Sequence, residues 1–407
     1  WSKMRGNKNK SFAQEEHRRE IARIREETER LKLEVGPAAI EAFREAPEAD
    51  RNVVMTVISN LNSALNPGDS ETSKFNPALA LEITRLLSDN GVDQPQVSFA
   101  GFRAAYAIHD FEYAAAMLEK LATTDARLND SVPAQLESTR AKWERELQLR
   151  TAEELADDLP MVRFETTVGD FTAVLYENEA PETVGNFIHL VEEEFYDGLS
   201  FYVVRPGMMI QSGCPLGNGK GHAGYTIACE CEGDDIRHHF AGTLSMFNGG
   251  PDTGGSRFFI CQQPNEQLDG RYTVFGRIVD NPEVIYDFSA INKTGVIPDP
   301  WEPATIEKVT VLRKRSHEYV PNRVAVLAPV DPRVTQNGRQ PEPARTVPPL
   351  EDPRLTIPVG EPPESSGSSG ESSGGGEESG DGNAGGESSE EPEPEAAASG
   401  NGNDSAG

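Results

Sequence analysis

The residues of this chain best equipped for chemistry fall into a few short pieces. One is Met208-Met-Ile-Gln211; a second is Phe247-Asn248, followed by the glycine-dense Gly249-Gly-Pro-Asp-Thr-Gly-Gly255. A third is Arg257-Phe-Phe259, with Gln267-Leu268 and Tyr272 a little further on. If these pieces are strands, side chains two apart share a face, so Met209 lies beside Gln211 and Arg257 beside Phe259. Apolar surface mixed with amide and guanidinium donors suits the gripping of a partly apolar ligand by its polar atoms. A guanidinium among apolar side chains with no acid partner is costly unless a ligand carbonyl meets it. Taken alone, Met208, Met209, Phe259, Leu268 and Tyr272 would read as core packing.

Other chemistries find little support. Of the four cysteines, Cys229 and Cys231 sit two apart on an apparent strand and point the same way, which suits neither a disulfide nor a full zinc set. No second Cys or His pair completes a metal site, no catalytic triad is visible, and no cofactor is called for. The C-terminal tail carries much of the net charge of −29, since no Lys or Arg follows Arg354. That balance argues against nucleic acid or an anionic membrane surface as partner. No apolar run reaches the roughly 18 residues of a membrane span. The opening Trp1-Ser-Lys-Met-Arg-Gly-Asn-Lys-Asn-Lys10 resembles the flank of a membrane helix. An anchor or signal ahead of Trp1 and an arbitrary start are equally good explanations, so a cytoplasmic and a membrane-anchored location both stay open.

The elements that must position these residues can be read in order. Residues 1–11 are a basic stub, and 12–157 read as helical. The helical part opens with a charged lead-in over 11–34 and continues through amphipathic runs at 53–61, 78–87, 99–108 and 110–122. The last pair, joined almost directly, is similar to one tetratricopeptide hairpin, without a 34-residue period. His109 at its joint reads as a cap or packing residue. A final helix from 133 to 157 has an Arg/Glu face that suggests an exposed strut. Beyond Pro160 the pattern becomes period-2, with a hairpin around Val168-Gly-Asp170 and then a helix entered at Pro181. From 316 to 407 the chain is Pro-rich, then Gly/Ser/Glu-rich, and reads as a disordered tail.

Over residues 159–315 the chain resembles the cyclophilin-type peptidyl-prolyl isomerases. The resemblance rests on Phe201 to Gly213, on Ala241 to Ile260 and on Leu268-Asp-Gly-Arg-Tyr-Thr-Val-Phe-Gly276. Pro181-Glu-Thr-Val-Gly-Asn-Phe187 and Tyr196-Asp-Gly198 fall in the family's order. It implies a closed antiparallel β-barrel of eight strands with two capping helices, the second near 281–291, and a closing strand over 305–312. The whole would be an all-α region, a barrel and a tail. It implies acceleration of X-Pro isomerisation in protein substrates. That reaction needs only an apolar cleft for the ring and donors that favour the twisted amide over its planar forms. Carried over residue by residue, the ring pocket would be Met208, Met209, Phe259, Leu268 and Tyr272, with Gln211 as a donor. Phe247-Asn248 would hold the peptide backbone, and Gln267 would flank the pocket.

Several positions depart from the family. Its Phe-His-Arg is here Phe201-Tyr202-Val203, so the arginine that donates to the prolyl amide is missing; Arg257 stands for a glutamine, Tyr272 for a histidine and Gln267 for a tryptophan. Arg257 is the favoured substitute donor, Arg205 the second candidate, and no replacement the third. The two functional readings are therefore a working isomerase of reduced activity and a faded cyclophilin that docks prolyl peptides, with the helices holding a protein partner. A structural role for the helices, with the barrel as passenger, is a third.

Overall fold

The structure, a computed structural model, describes residues 34–48, 50–66, 74–124, 131–288 and 303–327. The lead-in expected over 11–34, the end of the helix expected over 281–291 and the tail after 327 fall mostly or wholly outside these residues. Helices come first: α1 (34–45), α2 (Arg51–Leu65), α3 (Pro77–Asp89), α4 (Pro95–Ala107), α5 (Phe111–Thr124) and α6 (Ser131–Ala156). Their starts follow local chemistry. Asp50 accepts from the Asn52 amide at 2.8 Å and Asn76 from the Leu79 amide at 2.9 Å, each satisfying a donor that the first turn leaves unpaired. Asp110 does the same for Tyr113 at 3.1 Å and opens α5 directly after α4. Gly101 lets α3, α4 and α5 close up, since a Cβ there would lie 2.5 Å from Thr84 Cγ2 and 3.1 Å from Met117 Cγ. Phe43, Val57, Leu61, Phe75, Leu87 and Ala104 fill the centre.

The second half is β1 (Met161–Thr166), β2 (Phe171–Leu175), α7 (Pro181–Glu192), β3 (Val203–Arg205), β4 (Met209–Ser212), β5 (Tyr225–Ile227), β6 (Thr243–Met246), β7 (Phe258–Cys261), β8 (Thr273–Ile278), α8 (Val284–Asp287), β9 (Ile306–Arg313) and β10 (Arg323–Val326). Eight strands form one sheet in the order β3-β4-β7-β6-β8-β2-β1-β9, with antiparallel neighbours throughout. Its concave side is packed by Phe164, Phe171, Ile210, Leu244, Phe258, Ile260 and Phe275, with Phe187 of α7 as a plug. The closed barrel expected from the sequence is corrected to a curled half-barrel. No ladder joins edge strands β3 and β9; the gap beside them is spanned by the Ser200–Thr305 bridge and by 2.8 Å backbone bonds from Gly198 to Ile306, Ile306 to Leu199 and Phe201 to Ala304. β3 is three residues long and ends at the Pro206-Gly207 turn.

Two further features differ from the sequence reading. The Arg/Glu face of α6 is no simple exposed strut, because Glu146 is buried against Arg237 of the sheet region. The chain also stays ordered past Arg315. Tyr319 is buried and donates to Glu177 at 3.0 Å, and β10 pairs with β5. An aromatic anchor and a four-residue strand suffice to hold a stretch that composition alone assigns to the tail.

Candidate functional site

The convex face of β3, β4, β7 and β6 carries the expected cleft. Register puts Val203 opposite Gln211, Gln211 opposite Phe259 and Phe259 opposite Ser245, so these four side chains form one row across four strands. Met209 lies in the next row with Arg205 and Cys261. On the other side of the central row, the Phe247 amide donates to the Arg257 carbonyl oxygen at 2.8 Å. Phe259, Cys261 and Leu268 form a buried apolar cluster, with Met209, Phe247 and Tyr272 packed on it half-exposed. Tyr272 stands edge-on to Phe259 at 5.4 Å and stacks with Phe247 at 6.0 Å. These aromatic contacts make a preformed slot with its open side lined by Met209, Phe247 and Tyr272.

The polar groups fall around that slot. Gln211 is buried, and among the described residues its amide makes no side-chain hydrogen bond. Asn248 is pinned by donation from Nδ2 to the Arg271 carbonyl oxygen at 2.9 Å, while its Oδ1 accepts from the Gly250 amide at 3.2 Å. Its own N–H and C=O have no backbone partner among the described residues, which leaves both for an extended ligand. The Arg257 guanidinium lies 4.6 Å from the Phe247 ring centre and donates to the Gly219 carbonyl oxygen at 2.6 Å. It has no carboxylate partner among the described residues, and a guanidinium has more donors than that one bond uses. Burial pushes the neighbouring Tyr202 phenol up, and the Arg257 charge pulls it back in part.

The remaining candidates lie less centrally. Arg205, half-buried beside Met209, makes no ion pair or side-chain hydrogen bond among the described residues. Met208 sits in the turn before β4, where its amide donates to Arg205 at 2.9 Å, and it is no member of the apolar cluster. Gln267 and Leu268 belong to a single 3₁₀ turn, Glu266–Leu268, capped by Asn265.

Sequence reading missed what lies behind the slot. His239 stacks flat on Phe259 at 5.8 Å. Its Nδ1 is 2.8 Å from Asp269 Oδ1 and its Nε2 2.9 Å from Ser245 Oγ, whose hydroxyl donates to the Thr273 carbonyl oxygen at 3.1 Å. This Ser-His-Asp order looks like a nucleophilic triad, but Ser245 and His239 are both buried and no acyl group can reach the hydroxyl. The set is a brace that fixes Phe259. Burial pushes His239 below its ordinary value, whereas burial would raise Asp269 and its hydrogen bonds from His238 and His239 overcome that. Ser245 was legible as a period-2 neighbour of Phe247; the approach of His239 was not, since it depends on a loop.

Comparison with known proteins identifies the family of the sheet region. Residues 161–311 match the family model described as cyclophilin type peptidyl-prolyl cis-trans isomerase/CLD. A peptidyl-prolyl cis-trans isomerase of Synechococcus elongatus is 49% identical over 117 residues, which is 29% of this chain and 79% of that protein. Peptidyl-prolyl cis-trans isomerase B of Bacillus subtilis is 50% identical over 115 residues, 28% of this chain and 80% of the relative. Peptidyl-prolyl cis-trans isomerase-like 1 of Aspergillus oryzae is 37% identical over 158 residues, 38% of this chain and 93% of the relative. With an aromatic slot, flanking donors and relatives matched over most of their length, the chain belongs to the cyclophilin-type peptidyl-prolyl cis-trans isomerases.

Proposed function

We propose that this isomerase works with Arg257 in place of the missing arginine at position 203. The proline ring enters the slot of Met209, Phe259, Leu268 and Tyr272, and the flanking peptide runs along the free backbone groups of Asn248 past Phe247. As the X-Pro bond twists, it loses resonance and the prolyl nitrogen gains basicity, so a fixed donor stabilises the twisted form more than either planar one. Arg257 supplies that donor, and the Gln211 amide steadies the carbonyl. Met208 and Gln267 border the site. The observation that carries this reading is the Arg257 guanidinium, held on one side by Gly219 and Phe247 and lacking an acid partner. Arg205 is the reserve candidate, one row further along beside Met209.

The rate would be lower than with an arginine at 203, because the donor reaches the bond from a neighbouring row. A second reading, a prolyl-peptide docking domain with little turnover, is favoured by one feature: Val203 places an aliphatic group in the central row. Exchange NMR on an Ala-Pro-Phe peptide with the full chain separates the two. Arg257→Ala is expected to lower kcat/KM by about 10²–10³, the usual cost of one preorganised donor. Arg205→Ala is expected to change it less than threefold or so. Equal loss in both variants, or peptide line broadening without exchange in the parent protein, would sink the Arg257 assignment.

A further inference from the structure

The slot is not built by the sheet region alone. The 3₁₀ turn that carries Gln267 and Leu268 is held at both ends by α6. Thr139 Oγ1 lies 2.8 Å from Glu266 Oε1, 3.0 Å from the Gln135 carbonyl oxygen and 3.1 Å from the Tyr106 hydroxyl of α4; its one proton goes to the carboxylate, the nearest and the charged acceptor. Lys142, one turn on and on the same face, donates to Asp269 Oδ2 at 3.1 Å and sits 3.4 Å from Glu266 Oε1. Glu266 directly precedes Gln267-Leu268, and Asp269 directly follows. Asp269 is also the residue that fixes His239 against Phe259. Beside it, His109 accepts from the Ala241 amide at 3.1 Å and stacks on Trp143 at 4.0 Å, while Trp143 meets Phe240 edge-on at 4.8 Å. The helical region thus touches both segments that back the slot, 237–241 and 266–269.

We infer that Thr139 and Lys142 of α6 are positioning residues for the prolyl slot, setting the turn that holds Leu268 and, through Asp269 and His239, the plane of Phe259. This rests on the isomerase assignment and adds to it a role for the helices. The physical argument is one of restraint. Leu268 is buried and touches Phe259, so a turn that drifts by a fraction of an ångström opens or narrows the slot. A three-residue 3₁₀ turn has poor internal hydrogen-bond geometry and takes its position from such external bonds. Both bonds from α6 go to carboxylates that are largely withdrawn from solvent, where charge-assisted bonds are strongest.

The test is steady-state exchange NMR on the full chain carrying Thr139→Val and Lys142→Met together, with the Leu268 and Met209 methyl resonances followed in the same samples. The expected result is a rise in KM of roughly tenfold, about the worth of one charge-assisted hydrogen bond, with kcat within twofold. Leu268 should shift, and the effect should be reversed by Lys142→Arg and Thr139→Ser, which keep the donors. Unchanged KM, or equal losses in kcat and in folded fraction with no Leu268 shift, would overturn the inference. If the double variant does not fold, Thr139→Val and Lys142→Met are each measured alone and judged by the same split. An inactive parent protein that still broadens the peptide resonances would instead sink the isomerase assignment. The Leu268 shift and the peptide dissociation constant would then test the inference separately.

Discussion

At the scale of single residues the site turns on two exchanges, Val203 where the family has arginine and Arg257 where it has glutamine. Val203 is a member of the central row, across Gln211 from Phe259, whereas Arg257 lies in the adjoining row, two residues before Phe259. If Arg257 has taken over the donor's task, restoring an arginine at 203 makes it partly redundant. Val203→Arg is expected to raise kcat/KM by about tenfold or more, and Arg257→Ala is expected to cost far less in that background than in the parent chain. Additive effects of the two changes in exchange NMR would contradict a shared role. The shared faces of Met209 with Gln211 and of Arg257 with Phe259 were legible from alternation alone; the pairing partners were not. The hold of Gly219 on Arg257 was not, because it comes from a loop 38 residues away in sequence.

At the scale of elements, the joint between α4 and α5 does more than turn the chain. His109 adopts a left-handed backbone, φ 68°, which few residues other than glycine take up at low cost. That conformation delivers its ring between Trp143 of α6 and Phe240, where it accepts from Ala241. Burial, with help from the Arg150 charge, pushes its pKa from 6.5 down to about 3. As pH falls below about 6.5, the unfolded chain takes up a proton that the folded chain refuses, so stability present above that pH is lost progressively toward the folded value. His239, also pushed down by burial, acts in the same direction. Urea unfolding at pH 6.5 and pH 5 should show His109→Gln losing much less stability over this interval than the parent. The expected difference is up to about 1.4 kcal/mol per pH unit. Identical slopes would contradict a His109 that stays neutral in the folded chain.

At the scale of the whole molecule, the helical and sheet regions share a buried ionic seam. Arg237, with its side chain fully buried, makes two 2.9 Å bonds to Glu146 of α6, bonds Glu153 of the same helix, and lies 3.3 Å from Glu179. Its guanidinium also rests 3.6 Å from the Tyr176 ring centre. Burial alone would raise Glu146, and the charges of Arg237 and Arg150 overcome it to hold the carboxyl at about 2. Removing one partner leaves the others charged in a poor solvent. Arg237→Met is therefore expected to cost roughly 3–5 kcal/mol in chemical denaturation. It should also uncouple loss of helix from loss of the sheet-region tyrosine signals. A single unchanged transition would mean that the seam holds nothing together.

What the sequence determined by itself was the order of elements, the family and most of the slot. Strand alternation, glycine-rich turns and capping residues are local signals, and Met209, Gln211, Phe259, Leu268 and Tyr272 sit on them. Tertiary structure alone decided three other things. The sheet stays open, with β3 and β9 as edge strands that no ladder joins. Residues 316–327 join the folded part because Tyr319 finds a buried site and β10 finds β5. Thr139, Lys142 and Glu146 turn from surface residues of a charged helix into partners of the site and the seam. Each of these depends on contacts between residues distant in the chain, and the composition of a polar helix face is the same whether it meets water or a carboxylate.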